Sequence, residues 1–492
     1  MAELVARFSL AWLVAANLVG VLLAALLLWP ELGDVLAPLT YGRWMPVHHN
    51  AQLYGWCALP LVGLLLRCFL VPGHSADRHT LGVLSLWSAA LAFGAVSWLN
   101  GGASGKLFLD WTGPARIGFP LALTALWAVL AYHAFARLAE RSFEFRVSRF
   151  ESPQSGGTGF TPATTAPAQL AGIKPAPPSP VLKVQSSEFR IQDSMTSPTR
   201  SAVNGHSSLG IGHSSLLRFA LVAILLLVPT VLYISASTHV FPPVNPDSGG
   251  ATGVSLYSST LGLILVFAAV PWLLSLPLRP GARRARLTWP TIAAALAILV
   301  TANHGHASHH ATDQIITLGL LFLAPPLLAR DWRRFVWRPE AQGWLVAALV
   351  WGVLLVADGW ITFLPGISER LKFTNGLVAH SHLAMAGLLT SLNIVFLLHL
   401  GEAPRVSAAL GAGGPFWLWQ LAAAVHIGVL LLLGWREGAD PWLVQSGGAA
   451  MRHAYLVRLL AGAAMTVASL WWLILVFRPP SSSPGLPGAK VT

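Results

Sequence analysis

Apolar residues in this chain do not recur with the period of an amphipathic helix or alternate as in a half-buried strand. They come in long runs of about 20 residues, the length a helix needs to cross a bilayer. Twelve such runs predict membrane spans near 8–30, 46–71, 80–100, 115–137, 216–237, 254–278, 287–305, 312–330, 343–364, 373–399, 415–435 and 453–478. The eighth is short and holds Pro325-Pro326 near its end. One stretch breaks the pattern: residues 142–214 are rich in Ser, Thr, Pro, Gly and Ala, and their few apolar positions keep no period. That composition predicts a disordered linker between the fourth and fifth spans, and the tail 479–492 reads the same way. The expected organisation is therefore all-α, a twelve-helix membrane bundle. It places four helices in 1–141, a linker in 142–214, eight helices in 215–478 and a flexible tail.

Composition agrees with this picture. The chain is 54% hydrophobic and 10% charged, with a mean hydropathy of +0.62, which no soluble domain of 492 residues matches. The first apolar run lacks a preceding basic region and a small-residue cleavage site, so it reads as a retained span. Cys57 and Cys68 share one span, which leaves no disulfide framework and no thiolate metal cluster. The net charge of +12 would suit nucleic acid, but the basic residues lie in loops between spans, so the charge reads as topological. With both termini in the cytoplasm, only eight of the 31 Lys and Arg fall outside: Arg43, Lys106, Arg116, Arg370, Lys372, Arg436, Arg452 and Arg458. The bias follows the positive-inside rule.

Chemistry enters with the tenth span. His380 and His382 lie in its outer half, and ionisable residues inside a membrane helix are costly and usually functional. At ~100° per residue, positions i and i+2 point ~200° apart, so the two imidazoles cannot share one metal. Each is placed to hold a separate prosthetic group; the simpler alternative is two core histidines bonded to neighbouring carbonyls. Other histidines reach the same depth: His48 and His49 at the outer start of the second span, and His304, His306, His309 and His310 at the outer end of the seventh. Neutral imidazole is a good ligand for iron, copper and zinc. One face of the tenth helix, paired with the second, would form bis-His six-coordinate iron. The other would leave an open position on a five-coordinate iron, with a second metal held across the gap by the seventh-span cluster.

Three segments resemble the haem–copper oxidase superfamily at the level of its catalytic subunit I. V-A-H-S-H at 378–382 is similar to the family's tenth-helix H-x-H. V-H-H-N-A-Q-L-Y-G-W at 47–56 and Y-L-V-R-L-L-A-G at 455–462 resemble motifs of the cbb-type oxidase and nitric oxide reductase branches. The resemblance implies that His380 holds a high-spin haem and that His382 and His48, rather than His49, hold a low-spin one, both of b type. It makes Arg458 the partner of the haem propionates, assisted by Arg452. A buried arginine needs carboxylate partners, and none of its helical neighbours supplies one. The implied activity is reduction of oxygen, as in cytochrome c oxidase subunit I. The implied setting is a bacterial inner membrane, in company with other membrane subunits.

The chain departs from that family at the copper site. The sixth-span motif T-G-V-S-L-Y keeps a matching Tyr257, but Gly253 stands where the histidine ligand belongs. The family's adjacent histidine pair corresponds either to His309-His310 or to Asn303-His304, with His239 or Asp313 available to complete a copper or iron site. Proton routes are thin: Asp358 is the only buried acid expected inside a span, supported by Ser255, Ser258, Ser259, Thr260 and Thr317. Strong proton pumping is not expected, and spans six and seven lack the glutamates a nitric oxide reductase would want. The chain contains no C-x-x-C-H haem attachment site. Electrons must then arrive from a cytochrome c or a companion subunit carrying c-type haem. The rival readings are a nitric oxide reductase-like enzyme, a non-catalytic dihaem electron-transfer subunit that has lost the second metal, and a haem-free transporter lined by histidines.

Overall fold

The computed structural model describes residues 1–70, 74–106, 109–150, 215–243, 267–282, 293, 297, 312–362, 364–371, 373–440, 442–443 and 448–478. The chain divides into two units, Met1–Leu138 with Leu209–Thr492, and Ala139–Ser208. Of the second unit, only the continuation of one helix to Phe150 is described. The remainder of the expected linker and the tail 479–492 lie outside the described residues. The fourth helix thus runs past the expected linker boundary at 142. Residues 136–150 are dominated by Ala, Leu, Glu, Arg and Phe, with neither Gly nor Pro before Pro153, so nothing stops the helix where the apolar run ends.

Nine helices among the described residues are long and apolar enough to cross a membrane. They are α1 (Ala2–Leu28), α2 (Tyr41–Phe69), α3 (His74–Leu99), α4 (Ala115–Phe150), α5 (Ser215–Ser235), α6 (Gln342–Ile361), α7 (Asn375–His399), α8 (Gly413–Ala439) and α9 (Ala449–Phe477). These match the first five and last four expected spans. Of the sixth, only the inner end from Phe267 is described, and the seventh lies outside the described residues apart from 293 and 297. The eighth is broken into Thr312–Leu318, a 3₁₀ stretch Gly319–Leu323, and Ala324–Trp332. Pro325 and Pro326 have no N–H to donate backwards, so the helix restarts there instead of continuing. No strand forms among the described residues; a single antiparallel bridge joins Leu278 and Phe335.

Polar ties at the helix ends sort the bundle into two poles. At one, Glu3 accepts from Arg7 (3.2 Å) and Arg405 (3.3 Å), Arg137 donates to the Leu70 carbonyl (2.6 Å), and Arg67 donates to the His399 carbonyl. At the other, Arg43 donates to the Leu99 carbonyl (2.7 Å), and Lys106 caps the end of α5 through the carbonyls of Ser235, Ala236 and Ser237 (2.9, 3.1 and 3.0 Å). Burial holds the Lys106 ammonium below the usual lysine range, with Asp110 opposing that shift. Each pole gathers the ends that an alternating up-and-down chain would bring together. The same side chains satisfy last-turn carbonyls that would otherwise lack partners.

The innermost helix is α7. Two thirds of its most apolar window (67%) is buried, against 56% for α2 and 17% for α5, and every residue from Thr390 to His399 is buried. A helix apolar on all sides belongs at the centre of a bundle, with its partners turning their own apolar faces outward. Accordingly, Leu121 on α4, Val346 on α6, Leu421 on α8 and Leu460 on α9 are exposed. Both α2 and α7 widen into a π-helical turn, at Ala51–Cys57 and Leu383–Leu389, immediately inward of their histidines. In each, a glycine lies against a tryptophan ring of a neighbouring helix, Gly55 against Trp12 and Gly387 against Trp351. The Thr390 hydroxyl donates to the Met385 carbonyl five residues back (2.8 Å), and the two π turns are tied by Trp56 Nε1 donating to Thr390 Oγ1 (2.9 Å). π turns of this kind are frequent at functional sites.

Helix α8 approaches α7 closely, and a Cβ on Gly434 would collide with the Gly376 backbone. Gly434→Val is expected to destabilise the protein by at least ~1–3 kcal/mol through overpacking, read as a lower midpoint of thermal unfolding in detergent.

Candidate functional site

His380 and His382 turn toward different helices. His380 points at α6, with Nδ1 2.8 Å from Asp358 Oδ2. It fits there because the next residue is Gly359, where a Cβ would stand 3.1 Å from His380 Cε1. His382 points at α8, its ring centroid 4.8 Å from that of His426, and its Nδ1 donates to the Val378 carbonyl at 2.8 Å. That last bond is the one a purely structural histidine would make, so the α-helix itself satisfies one nitrogen and presents the other, Nε2, to the interior.

His48 follows the same rule from α2. Its Nδ1 donates to the Ala16 carbonyl of α1 at 2.7 Å, and Gly20 admits the ring, since a Cβ there would lie 2.7 Å from His48 Cε1. His48 lies within electrostatic reach of both His382 and Arg458, and His49 also reaches His382. A carbonyl accepts only from a protonated ring nitrogen, so these bonds set the tautomer with Nε2 as the ligating atom. All three rings are half-buried although they lie between core helices. His399, His79 and His133 differ. His399 uses both nitrogens, Nδ1 donating to Val395 O (2.8 Å) and Nε2 accepting from the Arg338 N–H (3.3 Å), while His79 and His133 bond to each other at 2.8 Å.

Next to these rings, at the pole where α7 begins, lies a polar network around Arg458, which is 7% exposed. Arg458 Nη1 donates to Asn375 Oδ1 (3.0 Å). Asn375 in turn donates through its backbone N–H to Glu437 Oε2 (2.8 Å) and through Nδ2 to Oε1 (2.5 Å), and Tyr455 donates to the same carboxylate (3.4 Å). Two expectations need correction here. Asp358 is not the only acid inside a span, because Glu437 is buried near the end of α8. Arg458 does have a carboxylate close by, delivered from a different helix through Asn375. Reading neighbours along α9 alone misses it, since α8 and α9 meet only in the packed bundle. Arg458 Nε stays buried without a hydrogen-bond partner among the described residues. Arg452 is exposed and lines a groove with Leu28, Trp29, His453 and Leu456.

Sequence reasoning also overlooked His426. It sits alone in L-A-A-A-V-H-I-G-V, with no motif around it, yet it is 6% exposed and donates through Nδ1 to the Arg458 carbonyl at 3.2 Å. The available signal was an ionisable residue in the middle of an apolar span. Tyr257, Gly253 and the cluster His304, His306, His309 and His310 lie outside the described residues, as do the serines of the sixth span. His239 is exposed in the turn after α5.

The donor set suits haem. Three imidazoles are pinned through Nδ1, one of them by a carboxylate, so that each Nε2 could ligate a haem iron, and a buried guanidinium nitrogen could meet an anionic group. No protein-family model matches this chain, and no curated protein matches it either.

Asn375→Ala removes the acceptor of Arg458 and the side-chain donor to Glu437 at once, while the backbone N–H of residue 375 still reaches Glu437 Oε2. It should cost ~1–3 kcal/mol, because two buried charged groups then lose hydrogen bonds, and chemical or thermal unfolding would register the loss.

Proposed function

We propose that this chain is the haem-carrying core subunit of a membrane oxidoreductase resembling cytochrome c oxidase subunit I, nearest to the cbb-type oxidase and nitric oxide reductase branches. It would be a twelve-helix bundle of a bacterial inner membrane with both termini in the cytoplasm. The observation that carries the reading is the splayed pair on α7: His382 aimed to the side of α8 and within reach of His48, His380 aimed at α6 and its carboxylate.

In this reading His48 and His382 hold a low-spin b-type haem, and His380 alone holds a high-spin one. When bound, these groups supply stepwise electron transfer and, at the open iron position, the reduction of oxygen. The chain's own residues do the rest. The carbonyls of Ala16 and Val378 orient the paired rings, so little reorganisation is needed on ligation. Asp358 accepts the Nδ1 proton of His380, which strengthens that imidazole as a donor and fixes its plane. Arg458, anchored to Asn375, offers Nε to a propionate carboxylate, and Glu437 balances its charge when none is present. Electrons come from a cytochrome c or a c-type haem companion subunit, since no covalent haem site occurs in this sequence. A copper or iron ion held by His304, His309 and His310, with Tyr257 nearby, completes the oxidase reading. Gly253 in place of a histidine favours the second reading, a dihaem electron-transfer subunit without that metal.

Purified protein reduced with dithionite should show two spectrally distinct haems, and carbon monoxide should shift one of them. Absence of any haem sinks the proposal; two haems with no carbon monoxide response select the non-catalytic reading. His380→Ala should remove only the high-spin signal and His48→Ala only the low-spin one. Asp358→Asn should leave the low-spin haem in place and weaken high-spin haem retention by about 10–100-fold, the usual cost of losing a carboxylate behind a ligating histidine.

A further inference from the structure

The low-spin pocket holds one imidazole more than an iron can use. His48 from α2, His382 from α7 and His426 from α8 each donate through Nδ1 to a backbone carbonyl, at 2.7, 2.8 and 3.2 Å. Each is thereby kept as the tautomer whose Nε2 carries the lone pair. His426 and His382 are neighbours, with centroids 4.8 Å apart and planes tilted by 43°. The three tethers are not equal. Those of His48 and His382 are short, whereas that of His426 is the longest, and at 3.2 Å it lies at the outer limit of ordinary N–H···O geometry. All three acceptors lie within helices, Ala16 in α1, Val378 in α7 and Arg458 in α9, so it is the length of the tether that sets His426 apart. Letting go therefore costs His426 less than it would cost either of the other two rings. A buried histidine kept only for packing gains little from a weak bond to an occupied carbonyl, and an apolar side chain would fill the same space without a polar cost.

We propose that His426 is a reserve axial ligand, which takes the place of His382 on the low-spin iron when His382 is lost or displaced. The inference rests on the haem reading above and adds a residue that reading does not need. Its structural content is that His426 releases the Arg458 carbonyl, swings toward the position of the His382 ring and coordinates through Nε2. Arg458 is then linked to the pocket twice, by its carbonyl to the reserve ligand and by its guanidinium to Asn375.

The test compares ferric and ferrous spectra of the full chain, purified with its haems, in the wild type, His382→Ala, His426→Leu and the double variant. His382→Gln is read beside the alanine variant so that a folding failure of one leaves the other informative. The bis-imidazole signature, followed by near-infrared magnetic circular dichroism and electron paramagnetic resonance, should survive either single substitution. It should be lost in the double variant and return on adding free imidazole. A five-coordinate or empty low-spin site in His382→Ala and His382→Gln overturns the inference, and so does loss of the signature in His426→Leu alone. A wild type that lacks any bis-imidazole haem instead overturns the functional reading on which the inference stands.

Discussion

Inside a bilayer, an imidazole must either find a hydrogen-bond partner within the protein or leave the membrane interior. This constraint shapes the structure around α7. The helix is enclosed over most of its length, fully so from Thr390 to His399, and its polar groups are answered by a carbonyl, a carboxylate or a neighbouring side chain. His382 is answered by its own helix at Val378, His380 by Asp358 from α6, and Asn393 by the Trp56 carbonyl of α2 (3.1 Å). Each answer consumes one nitrogen of a ring and orients the other. Satisfying the membrane's demand for internal hydrogen bonds and preparing a ligand are, for these histidines, one event.

The same constraint explains the glycines beneath the rings. Bringing His48 against α1 and His380 against α6 requires helix surfaces without a Cβ, supplied by Gly20 and Gly359. The π turns in α2 and α7 belong to the same economy of space. An extra residue in one turn rotates everything that follows by ~100°, so the histidines and the apolar positions deeper in the helix can face different neighbours. In α7 the part beyond the π turn is fully buried and its few polar groups bond within the bundle, while the part before it carries the two histidines.

Charge is handled at the two poles. Arginines and Lys106 cap carbonyls of neighbouring helix ends, so these basic residues also bind the helices laterally. Arg458 is the exception, a cation set inside a helix and connected through Asn375 to Glu437. Its buried Nε and the groove-lining, exposed Arg452 show two arginines six residues apart with different surroundings, one enclosed by protein and one at the surface.

From the chain alone, the long apolar runs determine an all-helical membrane protein, and nine of the expected spans appear at close to their expected positions. The ~200° separation of His380 and His382 was also legible, because it follows from the pitch of any helix. What each histidine faces was not legible, since helix pitch says nothing about which partner lies on either side. Asp358, Glu437 and His426 sit far from their partners in sequence, on helices whose rotation is set by packing, and two π turns change that rotation further. Periodicity reports contacts within a turn or two of one helix. The gathering of His48, His382, His426 and Arg458 from four helices depends on how large and small side chains interlock across the bundle, and only the tertiary structure decides that.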